Sequence, residues 1–216
     1  MNFGQLKQLL RSYLSRTDLA AQEASLVELA HTRIFGRLRL RSMEVTLPVT
    51  LSAERFDLPS DLLQVRQLWI DLPDGRISVE STTAEIQAAW IRGILQGPAQ
   101  AAENQFFLGS PRRYAVIGNT LALAPLPGPD GVAATLIYYA MPAMFVADGD
   151  TNTVLARYPR AYLYGSLYEF AQLTDDERAA GWEASFERVL EEIEVRERKD
   201  NQGRTSFGLM PSVQPA

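Results

Sequence analysis

The sequence predicts an α+β fold in which a helical bundle built from both chain ends carries an inserted small, mostly antiparallel β region. Three observations predict it. Apolar residues recur at three- and four-residue steps near both ends of the chain, the spacing of one helix face. From Met43 to Leu51 the period drops to two, as in a strand with one buried face, and further short strand runs follow up to Tyr139. Turn signals such as Pro73-Asp74-Gly75 and Gly118-Asn119 punctuate that middle stretch at hairpin spacing.

In chain order, Phe3, Leu6, Leu10, Tyr13 and Leu14 mark a first helix, and Asp18 is placed to cap a second running to about Arg39. On that second helix Leu26, Leu29, Ala30, Ile34 and Leu38 form the expected buried stripe. Met43, Val45, Leu47, Val49 and Leu51 then alternate with Glu44, Thr46, Pro48 and Thr50, and Pro48, lacking an amide donor, places this strand at a sheet edge or a bulge. Leu58-Pro59-Ser60-Asp61 reads as a turn into a strand at Val65–Leu72, paired through Pro73-Asp74-Gly75 with Ile77–Glu80. Thr82 or Thr83 caps a short helix through Trp90, and residues 93–112 read as a long loop with Phe106, Phe107 and Leu108 to bury. Strands follow at Tyr114–Ile117, Thr120–Ala124 and Val132–Tyr139. Pro159 opens a tyrosine-rich helix, and Thr174 and Glu177 have the spacing of a capping box for a last helix whose Ala179, Trp182, Phe186, Val189 and Ile193 share one face. The expected divisions are helices over 1–41, the β-rich insertion with its long loop over 42–150, helices over 151–202 and an arm over 203–216.

Composition removes more functions than it suggests. A chain of 216 residues, 46% hydrophobic and 22% charged, is ordinary globular usage and long enough for a real core. No run approaches the ~20 apolar residues of a membrane span, and the N-terminus lacks the pattern of a secretory signal, so a cytosolic origin and no membrane partner are expected. Zero cysteines and a single histidine remove disulfides, thiolate chemistry and a His-rich metal cage. A net charge of −5 disfavours a surface that clamps DNA, though not a channel through which DNA slides. No phosphate loop, dinucleotide fingerprint or nucleophile elbow occurs, and His31 reads as structural or solvated. Asp148-Gly149-Asp150-Thr151-Asn152 begins like a calcium loop, but Thr153 and Pro159 stand where glycine and the bidentate glutamate belong, so a turn or helix entry is expected instead. No catalytic residue, metal or cofactor is assigned, and the chain is not expected to be an enzyme.

The candidate interaction residues follow from spacing. At about 100° per residue, Tyr158, Tyr162, Tyr164 and Tyr168 spread around one helix, more tyrosine than one core absorbs, so some are expected between subunits. Glu183, Glu187 and Glu191 step by four along one face. Its plain reading is a solvated helix face; its functional reading is a negative wall lining a DNA channel. Arg33, Arg37, Arg39 and Arg41 either solvate a helix end or form a basic collar facing neighbouring subunits or nucleic acid. Residues 203–216 cannot continue a helix, and Phe207, Leu209, Met210 and Val213 offer apolar anchors for docking on another chain.

Over most of its length the chain resembles the head-to-tail adaptor proteins of tailed bacteriophages. The most specific segment is Tyr158-Pro-Arg-Ala-Tyr162-Leu-Tyr-Gly165, with the N-terminal helix pair, the Leu58–Asp61 turn, the Arg113–Ile117 hairpin and the Trp182 helix in the same order. The resemblance implies a non-enzymatic virion subunit at the neck, assembled in the host cytoplasm. It implies a homo-oligomeric ring, dodecameric in such proteins, that binds the portal protein above and a tail or nozzle protein below. Genomic double-stranded DNA would pass through its bore without sequence-specific binding. It also implies that the C-terminal arm, with Arg204, Phe207, Leu209, Met210 and Val213, engages the portal. A stopper or tail terminator is the alternative of the same kind, and a small hydrolase or binding domain the alternative of another.

Overall fold

The computed structural model describes residues 1–14, 22–85, 110–128 and 130–202. In chain order they form helices α1 (Phe3–Leu14) and α2 (Glu23–Arg37) and strands β1 (Glu44–Leu51), β2 (Arg55–Asp57), β3 (Leu62–Leu72), β4 (Gly75–Ser81), β5 (Arg113–Ile117), β6 (Thr120–Ala124) and β7 (Val132–Ala140). Helices α3 (Thr153–Arg157), α4 (Pro159–Thr174) and α5 (Ala179–Gln202) follow. Two compact units result: a helical one within Met1–Ser42 and Pro142–Ala216, and a β one within Met43–Met141. The Asp18 cap, most of the helix expected through Trp90, the anchors Phe106 to Leu108 and the arm 203–216 lie outside the described residues.

The expected fold class is corrected by this arrangement. Strands and helices occupy separate regions, and the β part is no small insertion in a helical bundle but a seven-stranded, nearly closed, barrel-like sheet with its own core. Strand order is β1-β7-β3-β4-β5-β6-β2, antiparallel throughout except where Glu80 and Ser81 of β4 run parallel to Arg113 and Tyr114 of β5. Both free edges, β1 and β2, are consecutive in sequence, joined by Ser52, Ala53 and Glu54 alone. A link that short spans roughly 10 to 14 Å, so the far edges of the sheet are held near each other and the sheet has to roll.

Inside the roll, Leu51, Leu68, Ile70, Val79, Leu121, Leu123 and Leu136 are buried in one cluster, with Leu68 and Ile70 of β3 and Leu121 and Leu123 of β6 two residues apart on one face of their strands. Pro48 sits opposite Thr135 on edge strand β1, where its missing amide breaks no ladder bond to an outer neighbour. The turn before β3 is tied twice: the Asp61 carbonyl accepts from the Met141 amide at 2.7 Å, and the Tyr138 hydroxyl donates to its carboxylate at 3.3 Å.

In the helical unit α1 opens with a reciprocal cap. The Asn2 side chain accepts from the Gln5 amide at 2.9 Å and the Gln5 side chain from the Asn2 amide at 3.0 Å. Its exposed Tyr13 lies off the buried face of Phe3, Leu6, Leu10 and Leu14. On α2 the buried stripe is wider than expected, with Val27, His31 and Phe35 joining Leu26, Ala30 and Ile34, while Leu29 is 48% exposed. α2 has neighbours on two sides, and that rotates the buried arc by part of a turn.

The break before the last helix also differs from the expected capping box. Thr174 turns its hydroxyl back to the Phe170 carbonyl, α4 ends at Asp175 in the left-handed region (φ 52°, ψ 44°), and the Asp176 carboxylate takes the Arg178 amide at 2.9 Å ahead of α5. Aspartate tolerates that backbone conformation better than most residues. On α5 the deeply buried residues are Phe186, Leu190 and Ile193, with Trp182 and Val189 at the margin.

Candidate functional site

Two helical ladders meet in the helical unit. Arg33 and Arg37 stand one turn apart on α2, and Glu183 and Glu187 one turn apart on α5, so both rows follow a step of four. Arg33 donates to Glu183 at 3.0 Å and lies 3.7 Å from Glu169 of α4; Arg37 pairs with Glu187 and donates to Glu194 at 2.8 Å. Two guanidinium groups thus face four carboxylates, and the region keeps a negative balance.

This changes the standing of two expected surfaces. Glu183 and Glu187 are not a bare acidic wall, because α2 supplies the cations that their own helix lacks; Glu191 is exposed and makes no ion pair among the described residues. Nor do the four arginines form a continuous collar. Arg33 and Arg37 are taken by the glutamates, and Arg39 folds its Nη1 onto the Phe35 and Leu38 carbonyls at 2.6 and 2.8 Å, satisfying the end of α2. Arg41 alone of the four is exposed and without an ion pair among the described residues.

The tyrosines separate in the same way. Tyr162 has no accessible surface, so it is a core residue and not one that can face a neighbouring subunit. Tyr168 lies under the Arg33 guanidinium at 4.3 Å, which also sits 5.3 Å from the Phe186 ring, and Tyr158 lies 6.0 Å from the Arg196 guanidinium. Tyr164 is half-buried, with no hydrogen bond, ion pair or ring contact among the described residues. Of the four tyrosines, some of them expected between subunits, Tyr164 alone is partly exposed and without such a partner among the described residues.

Asp148 to Asn152 serve as the seat of two helix N-termini. The Asp148 and Asp150 carbonyls accept from the Gly4 and Phe3 amides, both at 2.8 Å, so backbone rather than a side chain satisfies orphan donors of α1. Asp150 turns its carboxylate to the Val146 and Ala147 amides, which holds its pKa below the usual carboxylate range. Asn152 caps α3, its Oδ1 accepting from the Leu155 amide at 2.8 Å.

Sequence reasoning did not find the polar chain behind that cap. The Asn152 amide nitrogen donates to the Tyr162 hydroxyl at 2.7 Å, the hydroxyl lies 2.8 Å from His31 Nδ1, and His31 Nε2 lies 3.0 Å from the Pro142 carbonyl. A carbonyl only accepts, so the proton of the neutral ring is on Nε2, and Nδ1 accepts from the tyrosine. Every group is satisfied at full burial of His31 and Tyr162. Desolvation pushes the Tyr162 phenol up and the His31 imidazole down. Glu23 was missed too: it is 3% exposed, and Arg11 grips it through Nε at 2.5 Å and Nη2 at 2.8 Å. Only the stretch Asn152 to Tyr162 hinted at the first network, and nothing local at the second.

Among the described residues no cluster of histidine, aspartate or glutamate could hold a metal ion, and no helix is long and apolar enough to cross a membrane. The arm residues Arg204, Phe207, Leu209, Met210 and Val213 lie outside the described residues. Among the described residues the geometry offers helix packing, paired charge on α2 and α5, and in Tyr164 one member of the tyrosine set without a polar or ring partner. A family model described as SU10 adaptor protein matches residues 1–207. No curated protein matches the chain.

Proposed function

The chain belongs to the SU10 adaptor protein family of phage head-to-tail adaptors, and from this premise we propose that it works as a homo-oligomeric ring at the neck of the virion, binding the portal protein above and a tail or nozzle protein below. The family is structural: its members associate with head and tail components at their junction. The ring, its dodecameric symmetry and a central passage for the genome are our reading. The observation that carries it is the extent of the family match, 207 of 216 residues, which takes in both compact units.

Three surfaces are assigned within that reading. Tyr164 is the aromatic that packs between subunits, because it is the half-exposed member of the tyrosine set without a partner among the described residues. Glu191 is the channel-facing carboxylate, because Glu183 and Glu187 already face arginine. Residues 203–216 form the portal-binding arm, supported by their apolar anchors alone. A reconstruction of assembled particles at side-chain resolution tests all three. A closed ring with Tyr164 at the subunit boundary and the arm on the portal is expected; a monomer at the neck, or a ring attached only to the tail, overturns the proposal.

A further inference from the structure

The single histidine of this chain is fully buried and held in one tautomer by neighbours that cannot exchange roles. The Pro142 carbonyl fixes the proton on Nε2, so Nδ1 must accept, Tyr162 must donate to it, and the tyrosine oxygen is left to accept from Asn152. From these contacts we infer that His31 is a proton-operated latch of the helical unit: neutral, it closes the chain that caps α3 and pins the Pro142 segment; doubly protonated, it opens that chain.

A second ring proton on Nδ1 turns an acceptor into a donor opposite the Tyr162 hydroxyl, whose own hydrogen then has no acceptor among the described residues. It also places a cation at zero exposure among aromatic rings, with Phe35 at 4.6 Å and Phe145 and Tyr162 at 6.0 Å between centroids. The charged groups on the surrounding elements offer no compensation by contact. Lys7 of α1 is paired with Asp148, Asp150 spends its carboxylate on backbone amides, and Arg33 of α2 is tied to Glu169 of α4 and Glu183 of α5. Glu28, on the histidine's own helix, acts on the ring through space and favours the charged form, as does the Pro142 carbonyl, but desolvation outweighs both.

The consequence reaches beyond the ring. When the hydroxyl turns away to satisfy its hydrogen, Asn152 loses the partner that orients its cap on α3, and the segment from Pro142 carries Phe145, which stacks on Phe3 at 5.4 Å, and the Asp148 and Asp150 carbonyls that seat α1. The sign follows from linkage. A histidine whose folded value lies below its free value binds fewer protons closed than open, so closure is complete above the free value near pH 6.5 and weakens as pH falls toward the folded value.

Because there is one histidine, imidazole NMR of the full chain reports on this site alone. The Nε2-protonated tautomer is expected, with a titration midpoint below the ordinary value. Hydrogen exchange at the Leu155 amide, corrected for its intrinsic pH dependence, should be constant above about pH 7; below pH 6.5 its opening constant should rise up to about tenfold per pH unit. His31→Gln, whose amide can donate to Pro142 and accept from Tyr162 without titrating, should flatten that rise. A midpoint at or above the ordinary histidine value, or the same pH-dependent opening in His31→Gln, overturns the latch. Should the glutamine variant not fold, the tautomer, the midpoint and the exchange profile of the unaltered chain decide alone.

Discussion

At the residue scale, α2, α4 and α5 meet closely at Gly165 of α4. A Cβ at Gly165 would stand 3.0 Å from both Ala30 Cβ and Phe186 Cε2, and neither neighbour is the free end of a flexible chain. Alanine gains about 1 kcal/mol of helix propensity there, whereas overpacking costs about 1 to 3 kcal/mol. Gly165→Ala is therefore expected to lower stability by about 1 kcal/mol, read as a lower urea midpoint at unchanged slope; a higher midpoint would mean that the crossing opens freely. Its neighbour Ser166 behaves oppositely. Its hydroxyl is buried with no hydrogen-bond partner among the described residues, so Ser166→Ala removes a desolvated polar group and should raise stability by about 1 kcal/mol. Asp176 is a third case: the Arg178 guanidinium, and then the Arg178 amide, hold its carboxyl at about 2. A depressed carboxyl stabilises the turn above the free value near 4 and loses that contribution as pH falls toward 2. Exchange protection of the Arg178 amide should therefore hold to about pH 4 and fall below it.

At the element scale, the two arginines of the α2 ladder are alike in charge and differ in what lies beneath them. Arg37 meets Glu187 and Glu194 near the surface, so its pairs are worth less than about 1 kcal/mol and are screened by salt. Arg33 also covers the rings of Tyr168 and Phe186. Arg37→Ala should lose its destabilising effect in 1 M salt, while Arg33→Ala should keep a residue of roughly 0.5 to 1 kcal/mol from the aromatic contact. Denaturant titrations of both variants at low and high salt check this, and equal salt dependence would assign Arg33 a purely ionic role. The β region makes an element-scale point of its own. Because Glu44 pairs with Tyr139, the ends of the Met43–Met141 segment lie side by side, and its core is internal to it. Expressed alone, that segment should give a strand-type circular dichroism spectrum and unfold cooperatively; a disordered spectrum would show that its core needs the rest of the chain.

At the scale of the whole molecule, membership of the adaptor family makes the chain a structural part of the virion at the head–tail junction. The proposed division of labour can be separated by deletion. Removing residues 203–216 should leave the helix content and the stability of the remaining chain unchanged, yet abolish co-purification with the portal. Tyr164→Ala should instead block ring assembly, since large aromatics at an interface centre commonly cost at least 2 kcal/mol on truncation. Unimpaired portal binding by the shortened chain would remove the arm from the proposal and leave the ring intact. Normal ring assembly by Tyr164→Ala, seen in sedimentation of the purified protein, would do the reverse.

Local pattern was enough to place most elements. The alternation from Met43 to Leu51, the Pro73-Asp74-Gly75 and Gly118-Asn119 turns and the three-four steps of α1 and α5 each act within a few residues, and the structure has strands, turns and helices there. The aromatic segment around Tyr158 and Gly165 likewise sufficed to suggest the family. The size and closure of the sheet were not legible, because the rolling depends on two edges joined by three residues and on the β4–β5 pairing across a long sequence gap. Nor was the fate of the candidate surfaces. Arg33 and Glu183 are 150 positions apart, and so are Arg37 and Glu187; His31 and Tyr162 are 131 apart. Spacing along one helix decides which side chains share a face, whereas whether a charge is neutralised, or a tyrosine has any surface to offer, is decided by the other helix that the fold lays against it.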